Sequence, residues 1–206
     1  MPEGQAGLAN EHWVVEPVAC IVTGIDRCEA KPGQRIAIVG CGFMGLMIIQ
    51  GLKGVGLNQL IALDVDDDRL AMAMEMGATE THNSAAEGFD EIKRDLATRE
   101  IDCVVDSSGA QPGLDLATDI VKRAGMINLF GWMKGEEAIF DPSKWHGKAI
   151  SVVNSSPAAQ IRDPFPPAIR MIEQGIIDLK PLVTHTVTLD ECKAVMLSRF
   201  VALTPR

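Results

Sequence analysis

The chain has 206 residues, 47% hydrophobic and 23% charged, a globular balance that argues against extended disorder. Its 19 basic and 28 acidic residues give a net charge of −9, which makes nucleic acid or an anionic membrane surface a poor partner. No apolar run reaches the ~18 residues of a membrane span, the polar N-terminus has no signal-peptide core and points to the cytoplasm, and the length fits one domain of ~100–200 residues plus a fragment.

Along the chain, a loop leads into a helix-like run from Pro17 to Cys28, and Lys31-Pro32-Gly33 marks a turn. Arg35–Val39 reads as a buried strand, Phe43–Lys53 as a helix and Leu60–Leu63 as a second strand. Asp67–Met76 reads as a helix closed by Gly77, with Asp66, Asp67 and Asp68 at the positive end of its dipole. Thr79–Asn83 is a weaker third strand, Phe89–Leu96 a helix and Ile101–Val105 a fourth strand. Pro112–Arg123 reads as a helix stopped at Gly125, followed by strands at Met126–Phe130 and Ala149–Asn154. After Ser156 the pattern changes to a helix at Pro164–Gly175, a strand at Leu182–Val187 and a helix at Asp190–Phe200. Apolar strands alternating with helices predict a parallel sheet covered on both faces. With right-handed crossovers this is an α/β, doubly wound (Rossmann) fold.

The first strand runs directly into Gly40-Cys41-Gly42-Phe43-Met44-Gly45, a G-x-G-x-x-G. Alone the motif is weak; between a strand and a helix, with an acid further on, it is the pattern of a dinucleotide site. Gly40 permits the tight turn, Gly42 lets the backbone approach a pyrophosphate, and Gly45 lets helix and strand pack closely. The N–H groups at the helix start, near Phe43 and Met44, would face the phosphates. Asp64 ends the second strand nineteen positions after Gly45, near the expected spacing of ~20 for a carboxylate on the adenosine ribose. Asp64, Asp66, Asp67 and Asp68 together would repel a 2′-phosphate, so the pattern favours NAD over NADP. Arg69 lies along the ribose or is a surface charge of the helix. S-adenosylmethionine sites also use a glycine loop and an acidic strand end, and the spacing alone leaves that ligand open.

The other reactive residues form no recognisable centre. Cys20, Cys28, Cys41, Cys103 and Cys192 are scattered, without a C-x-x-C, and read as reduced thiols. His12, His82, His146 and His185 share no metal-ligand spacing. Met72, Met74 and Met76 read as helix packing. Asp106 and Ser107 read as strand-end residues of a cofactor pocket rather than as an acid and a nucleophile.

A wider set of motifs, in order, resembles the medium-chain, zinc-type alcohol dehydrogenases, in particular their sorbitol and threonine dehydrogenase branch. The residues are Glu16-Pro17-Val18-Ala19-Cys20, Lys31-Pro32-Gly33, the glycine loop, Ala62-Leu63-Asp64, Asp106-Ser107-Ser108-Gly109, the run from Gly125 to Gly131, and that from Asp178 to His185. The resemblance implies hydride transfer between a small alcohol or polyol and NAD, with the nicotinamide near Ser108, Gly109, Leu129, Phe130 and Gly131. It also implies a GroES-like catalytic domain that precedes the cofactor domain and returns after it. On that reading residues 1–17 are a remnant of the catalytic domain, 18–156 the NAD-binding domain and 157–206 a partial return segment. The family's zinc ligands, an upstream Cys and a Gly-His-Glu, are missing here, and only Glu16 matches a zinc-proximal position. Met1-Pro2-Glu3-Gly4 resembles an internal stretch of a longer member, so the chain reads as the C-terminal part of a dehydrogenase. An open face and an orphaned segment from Pro157 to Arg206 are then expected. Family members pair through the edge strand, which here predicts a homodimer through 149–154, next to Trp145 and His146. The alternative is a non-catalytic nucleotide-binding module without zinc or activity.

Overall fold

Alternation along the apolar strands decides the layering, because successive side chains of a strand point to opposite faces. Ile36, Ile38, Leu60, Ala62, Cys103 and Val105 join one apolar cluster. Ala37, Val39, Ile61, Leu63, Val104 and Ile127 join a second. Both faces of the sheet are therefore buried, and the strands read as continuous apolar runs.

The computed structural model describes Ala9 and residues 12–133, 137–156 and 159–202, those after 195 by backbone alone. Its six strands are β1 (Arg35–Val39), β2 (Gln59–Asp64), β3 (Glu80–Asn83), β4 (Ile101–Asp106), β5 (Val121–Leu129) and β6 (Ser151–Asn154). All neighbours pair in parallel, in the order β3-β2-β1-β4-β5-β6. The helices are α1 (Val15–Cys28), α2 (Phe43–Leu52), α3 (Asp67–Met76), α4 (Phe89–Leu96), α5 (Gln111–Ile120), α6 (Pro142–Lys148), α7 (Phe165–Glu173) and α8 (Leu189–Ala202). Helices α1, α2, α3 and α7 cover one face, and α4 and α5 the other. This is the doubly wound Rossmann arrangement. The strand order reverses between β1 and β4, so a crevice opens at their carboxyl ends.

Three sequence expectations differ from the structure. The helix expected to reach Arg123 ends at Ile120, and Val121 enters β5 at once. The expected stop, Gly125, lies inside β5 at an irregularity, where two steps on β4 (Ile101 to Cys103) face five on β5 (Val121 to Met126) and Ala124 adopts φ 54°. Lys148 Nζ donates to the carbonyls of Thr118, Asp119 and Val121 at 2.8–2.9 Å, which satisfies the end of α5 without a connecting loop. Second, α6 was not anticipated. Asp141 caps it by accepting from Ser143 N and Lys144 N, and Pro142 occupies its first turn. Third, Leu182–Val187 forms no strand: a 3-10 turn spans Lys180–Leu182 and the backbone then runs without regular structure. The sheet edges are β3 and β6, and this segment pairs with neither, so its backbone lacks the ladder a strand needs.

The orphaned segment is also smaller than expected. Ala168 and Ile172 of α7 are buried against the α1 side of the core, as are Ile177, Leu179 and Leu182. Gln50 of α2 holds this arm: its Oε1 accepts from Asp178 N at 2.6 Å and its Nε2 donates to Asp178 O at 3.1 Å. Arg162 adds a two-pronged bond to Asp26 of α1, both at 2.8 Å. Other apolar side chains of the arm stay exposed, Ile161 at 62%, Phe165 at 44% and Ile176 at 44%, as do Val187 at 41% and Leu189 at 92% beyond it. The expected boundary at Pro157 and residues 1–8, 10 and 11 of the expected remnant lie outside the described residues. Among the described residues no helix is long and apolar enough to cross a membrane.

Gln50→Ala removes the partners of both backbone polar groups of Asp178. The expected cost is about 1–3 kcal/mol, and for a chain of this size each kcal/mol lowers Tm by roughly 2–4 °C. Calorimetry reads this directly, and an unchanged Tm would mean that the arm adds nothing to stability.

Candidate cofactor crevice

The glycine loop sits at the mouth of the β1/β4 gap and is fixed from both sides. Gly40 N donates to Leu63 O of β2 at 2.8 Å, and Ser107 N donates to Val39 O at 2.8 Å. Ser107 Oγ donates to Gly40 O and, at 3.2 Å, to Val39 O. Gly40 adopts φ 92°, in the left-handed region, and an added Cβ would lie 2.8 Å from Ser108 N. At Gly45 an added Cβ would lie 2.0 Å from Gly40 O and 2.8 Å from Ser107 Oγ. No side chain fits between α2 and the loop. Gly42, the residue before α2, has nothing within 4 Å of its added Cβ and lines the crevice. The loop is packed shut behind and open in front, where the first N–H groups of α2 lack intrahelical partners.

Asp64 is a latch as well as a strand-end acid. Its Oδ2 accepts from Cys41 N at 2.6 Å, and its Oδ1 accepts from Val65 N at 2.8 Å and Asp66 N at 3.0 Å. A carboxylate has about four lone-pair sites, so one site on Oδ2 is left for a hydroxyl. Arg69 Nη1 lies 3.7 Å from Asp64 Oδ1, and its Nε lies 3.8 Å from Asp66 Oδ2. Asp66 caps α3 by accepting from Asp68 N and Arg69 N. Arg69 thus stands between two of the aspartates.

Across the gap, Asp106 ends β4. Ser108 N and Ser108 Oγ donate to its Oδ1 at 3.0 and 2.6 Å. Burial raises the Asp106 carboxyl above the usual carboxylate range, and the Ser108 bonds only partly offset this. Its carbonyl accepts from Phe130 N at 2.9 Å and Gly131 N at 2.7 Å, which ties the end of β5 to β4. Gly109 and Gly131 meet so closely that a Cβ on Gly131 would lie 2.3 Å from Gly109 N.

A cavity of about 670 Å3 runs along this crevice and is lined by Gly40, Gly42, Asp64, Arg69, Ser107 and Ser108, among others. Phe43 is 38% exposed, Met44 packs on the core and Gly45 lies at the loop's back. Leu129, Phe130 and Gly131 lie at the end of β5 and do not line that cavity. The Phe130 ring turns inward, 2.8 Å from a Cβ built on Gly24 of α1, and packs on the core. Pattern reading singled out the strand-end residues but missed Phe89, Asp90, Lys93, Asp115 and Asp119, which α4 and α5 contribute to the cavity. Those positions repeat at helical spacing, a signal that reads only as an amphipathic helix until the two helices are placed side by side.

The zinc-proximal candidate Glu16 stands elsewhere. It lines a cavity of about 200 Å3 with Cys20, Thr23, Ser155 and Phe165. The Cys20 thiol donates to Glu16 Oε1 at 3.4 Å and is pushed up to about 11 by burial and by Glu16. Among the described residues no three His, Cys, Asp or Glu side chains converge as a metal site. Glu16 and a protonated thiol do not make a zinc site, which takes four ligands, or three with an open position. All five cysteines are free of disulfides.

Comparison with known proteins agrees with this geometry. Residues 44–174 match the family model described as zinc-binding dehydrogenase. A zinc-type alcohol dehydrogenase-like protein of Escherichia coli K12, itself uncharacterized, is 33% identical over 178 residues, covering 85% of this chain and 49% of that protein. Sorbitol dehydrogenase of Bacillus subtilis is 28% identical over 188 residues, covering 91% and 52%. The chain therefore spans about half the length of the curated relatives it matches. Among solved structures, a protein titled short chain alcohol dehydrogenase from E. coli CFT073, complexed with NADH, superposes with a TM-score of 0.81 at 23% identity, covering 95% and 57%. A protein of Sinorhizobium meliloti 1021 titled a zinc-binding dehydrogenase and bound to NADP superposes with 0.76 at 24%, covering 88% and 54%. At these identities the structural likeness is one of fold. With the family model matching well over half of its length, the chain belongs to the zinc-binding dehydrogenase family.

Proposed function

We propose that the chain is the NAD(H)-binding domain of a cytoplasmic zinc-type alcohol or polyol dehydrogenase. The observation that carries this reading is the glycine loop, closed behind by Ser107 and Gly45 and open at Gly42 onto the crevice. That space admits a pyrophosphate against the start of α2. Asp64 keeps one lone-pair site for a ribose hydroxyl. Backbone groups of Ser108, Gly109, Leu129, Phe130 and Gly131 border the nicotinamide end. Asp106 and Ser108 hold that end in place. Bound there, the nicotinamide supplies the acceptor or donor of a hydride. NAD is favoured over NADP because a 2′-phosphate would meet the carboxylates of Asp64, Asp66, Asp67 and Asp68.

The zinc and the alcohol pocket belong, on this reading, to a GroES-like domain outside these residues, with 1–17 and 157–206 as its flanks around a cofactor domain at 18–156. Glu16 is the residue of this chain assigned nearest to that zinc. A non-catalytic nucleotide-binding module shares the same crevice, and the two readings part on alcohol-dependent NAD reduction. The outer edge of β6 supports a homodimer. Among the described residues this strand pairs only with β5, and Val152 is 37% exposed beside it.

Titration with NADH is expected to give a saturable change in nucleotide fluorescence; a linear response throughout would sink the cofactor reading. Asp64→Asn keeps the size of the side chain, removes the charge and leaves one amide oxygen to accept where two carboxylate oxygens did. It is expected to weaken NADH about tenfold or more, on the scale of one hydrogen bond to a charged group, and to narrow the gap to NADPH. An unchanged NADH/NADPH ratio would remove Asp64 from that role. Sedimentation is expected to give twice the chain mass of 22.2 kDa, and Val152→Lys to return it to one chain. A single-chain mass for the unaltered protein would refute the edge-strand dimer.

A further inference from the structure

The turn after β4 forms one wall of the crevice, and a buried carboxylate holds it from behind. Ser107, Ser108 and Ala110 line the cavity; Asp106, 2% exposed, does not. Asp106 Oδ1 accepts from both the N–H and the hydroxyl of Ser108. The same hydroxyl oxygen accepts from Ala110 N at 3.2 Å, the residue before α5. Helix α5 packs directly on this pair: a Cβ added at Gly113 would collide with Ser108 Oγ and lie 2.9 Å from Asp106 Oδ1. A chain of contacts therefore runs from the carboxylate, through Ser108, to the turn and the start of α5.

Two opposing effects act on the charge of Asp106. Burial disfavours the ionised form, while the Ser108 hydroxyl and the N–H groups of Ser108 and Gly109 favour it; burial wins, and the carboxyl is raised. The titratable groups of the surrounding elements are Cys41 after β1, Asp115 of α5, and Asp64 and Arg69 on the far side of the crevice; β5 presents none at its carboxyl end. None of them shifts Asp106. Bonds to an ionised acceptor are roughly twice as strong as neutral ones. Protonation of Asp106 thus weakens its hold on Ser108, and through Ser108 on Ala110, without removing an atom.

The following rests on the dinucleotide reading above, in which the nicotinamide half lies against Ser108 and Gly109. We infer that Asp106 is a positioning residue for that half, and that the crevice grips the nicotinamide fully only while Asp106 is ionised. The adenosine half, at Gly42 and Asp64, lies across the gap and keeps its own contacts. Because the folded carboxyl is raised, the grip is complete above its titration and is lost as pH falls through it, before an ordinary carboxylate would protonate.

The test is a calorimetric titration of the full chain with NAD and with ADP-ribose, which lacks the nicotinamide, from about pH 8 to about pH 5. Both ligands carry the same pyrophosphate and the same ribose at Asp64, so the ratio of their affinities isolates the nicotinamide end. In the unaltered chain the advantage of NAD over ADP-ribose is expected to shrink about fivefold on acidification, the difference between a hydrogen bond to a charged and to a neutral acceptor. Asp106→Asn, of the same size and uncharged, is expected to start at the reduced ratio and to stay within about twofold of it throughout. The profile of the unaltered chain decides by itself should the variant not fold. A constant ratio in the unaltered chain, or the same fall in Asp106→Asn, overturns the role of Asp106 and leaves the cofactor reading standing. No saturable binding of either ligand at the alkaline end overturns both.

Discussion

The position of one carbonyl, that of Gly40, governs the whole crevice. Ser107 Oγ donates to it from across the gap between β1 and β4. Gly45 leaves no side chain to push it away from α2. Because the carbonyl is held, the loop can turn at Gly40, α2 can start at Phe43, and its N-terminus faces the open side of Gly42. Shift the carbonyl and the helix start moves with it. A backbone site for phosphate works only when its N–H groups are preorganised. Here the preorganisation comes from β4, on the far side of the switch point, so neither half of the sheet builds the site alone.

The charge pattern has a second layer. Asp64 spends most of its hydrogen-bonding capacity inside the protein, on Cys41, Val65 and Asp66. Its carboxylate therefore fixes the distance between the end of β2 and the glycine loop before any ligand arrives. A residue of this kind couples affinity to loop geometry. Arg69, beside it, serves the aspartates. It offsets part of the mutual repulsion among these carboxylates.

Much of this was legible in the sequence, and for identifiable reasons. Strands β1, β2 and β4 are continuous apolar runs because both faces are covered, so their existence and parallel order follow from pattern. The glycine loop and Asp64 were legible because their roles are set by backbone conformation and spacing. The failures fall where tertiary contacts override local signals. Gly125 reads as a helix stop but sits within β5, because Lys148 closes α5 from a distance of some thirty residues. Leu182–Val187 reads as a strand by composition, yet a strand exists only with a partner, and this segment meets no sheet edge. The α4 and α5 residues of the cavity carried no signal, because only the packing of two helices makes them neighbours.

The arm that docks on α1 also bears on synthesis. Helix α1 is made before α7, which covers part of it. Translation at ~5–20 residues per second puts on the order of 10–30 s between them. Through that interval the apolar side of α1 has no native cover from α7. The bonds of Gln50 to Asp178 and of Asp26 to Arg162 link residues 128 and 136 positions apart, so they form only after most of the chain exists. The side of α1 that α7 covers thus waits for the intervening residues to be made. Over that interval the net charge of −9 opposes association between nascent chains.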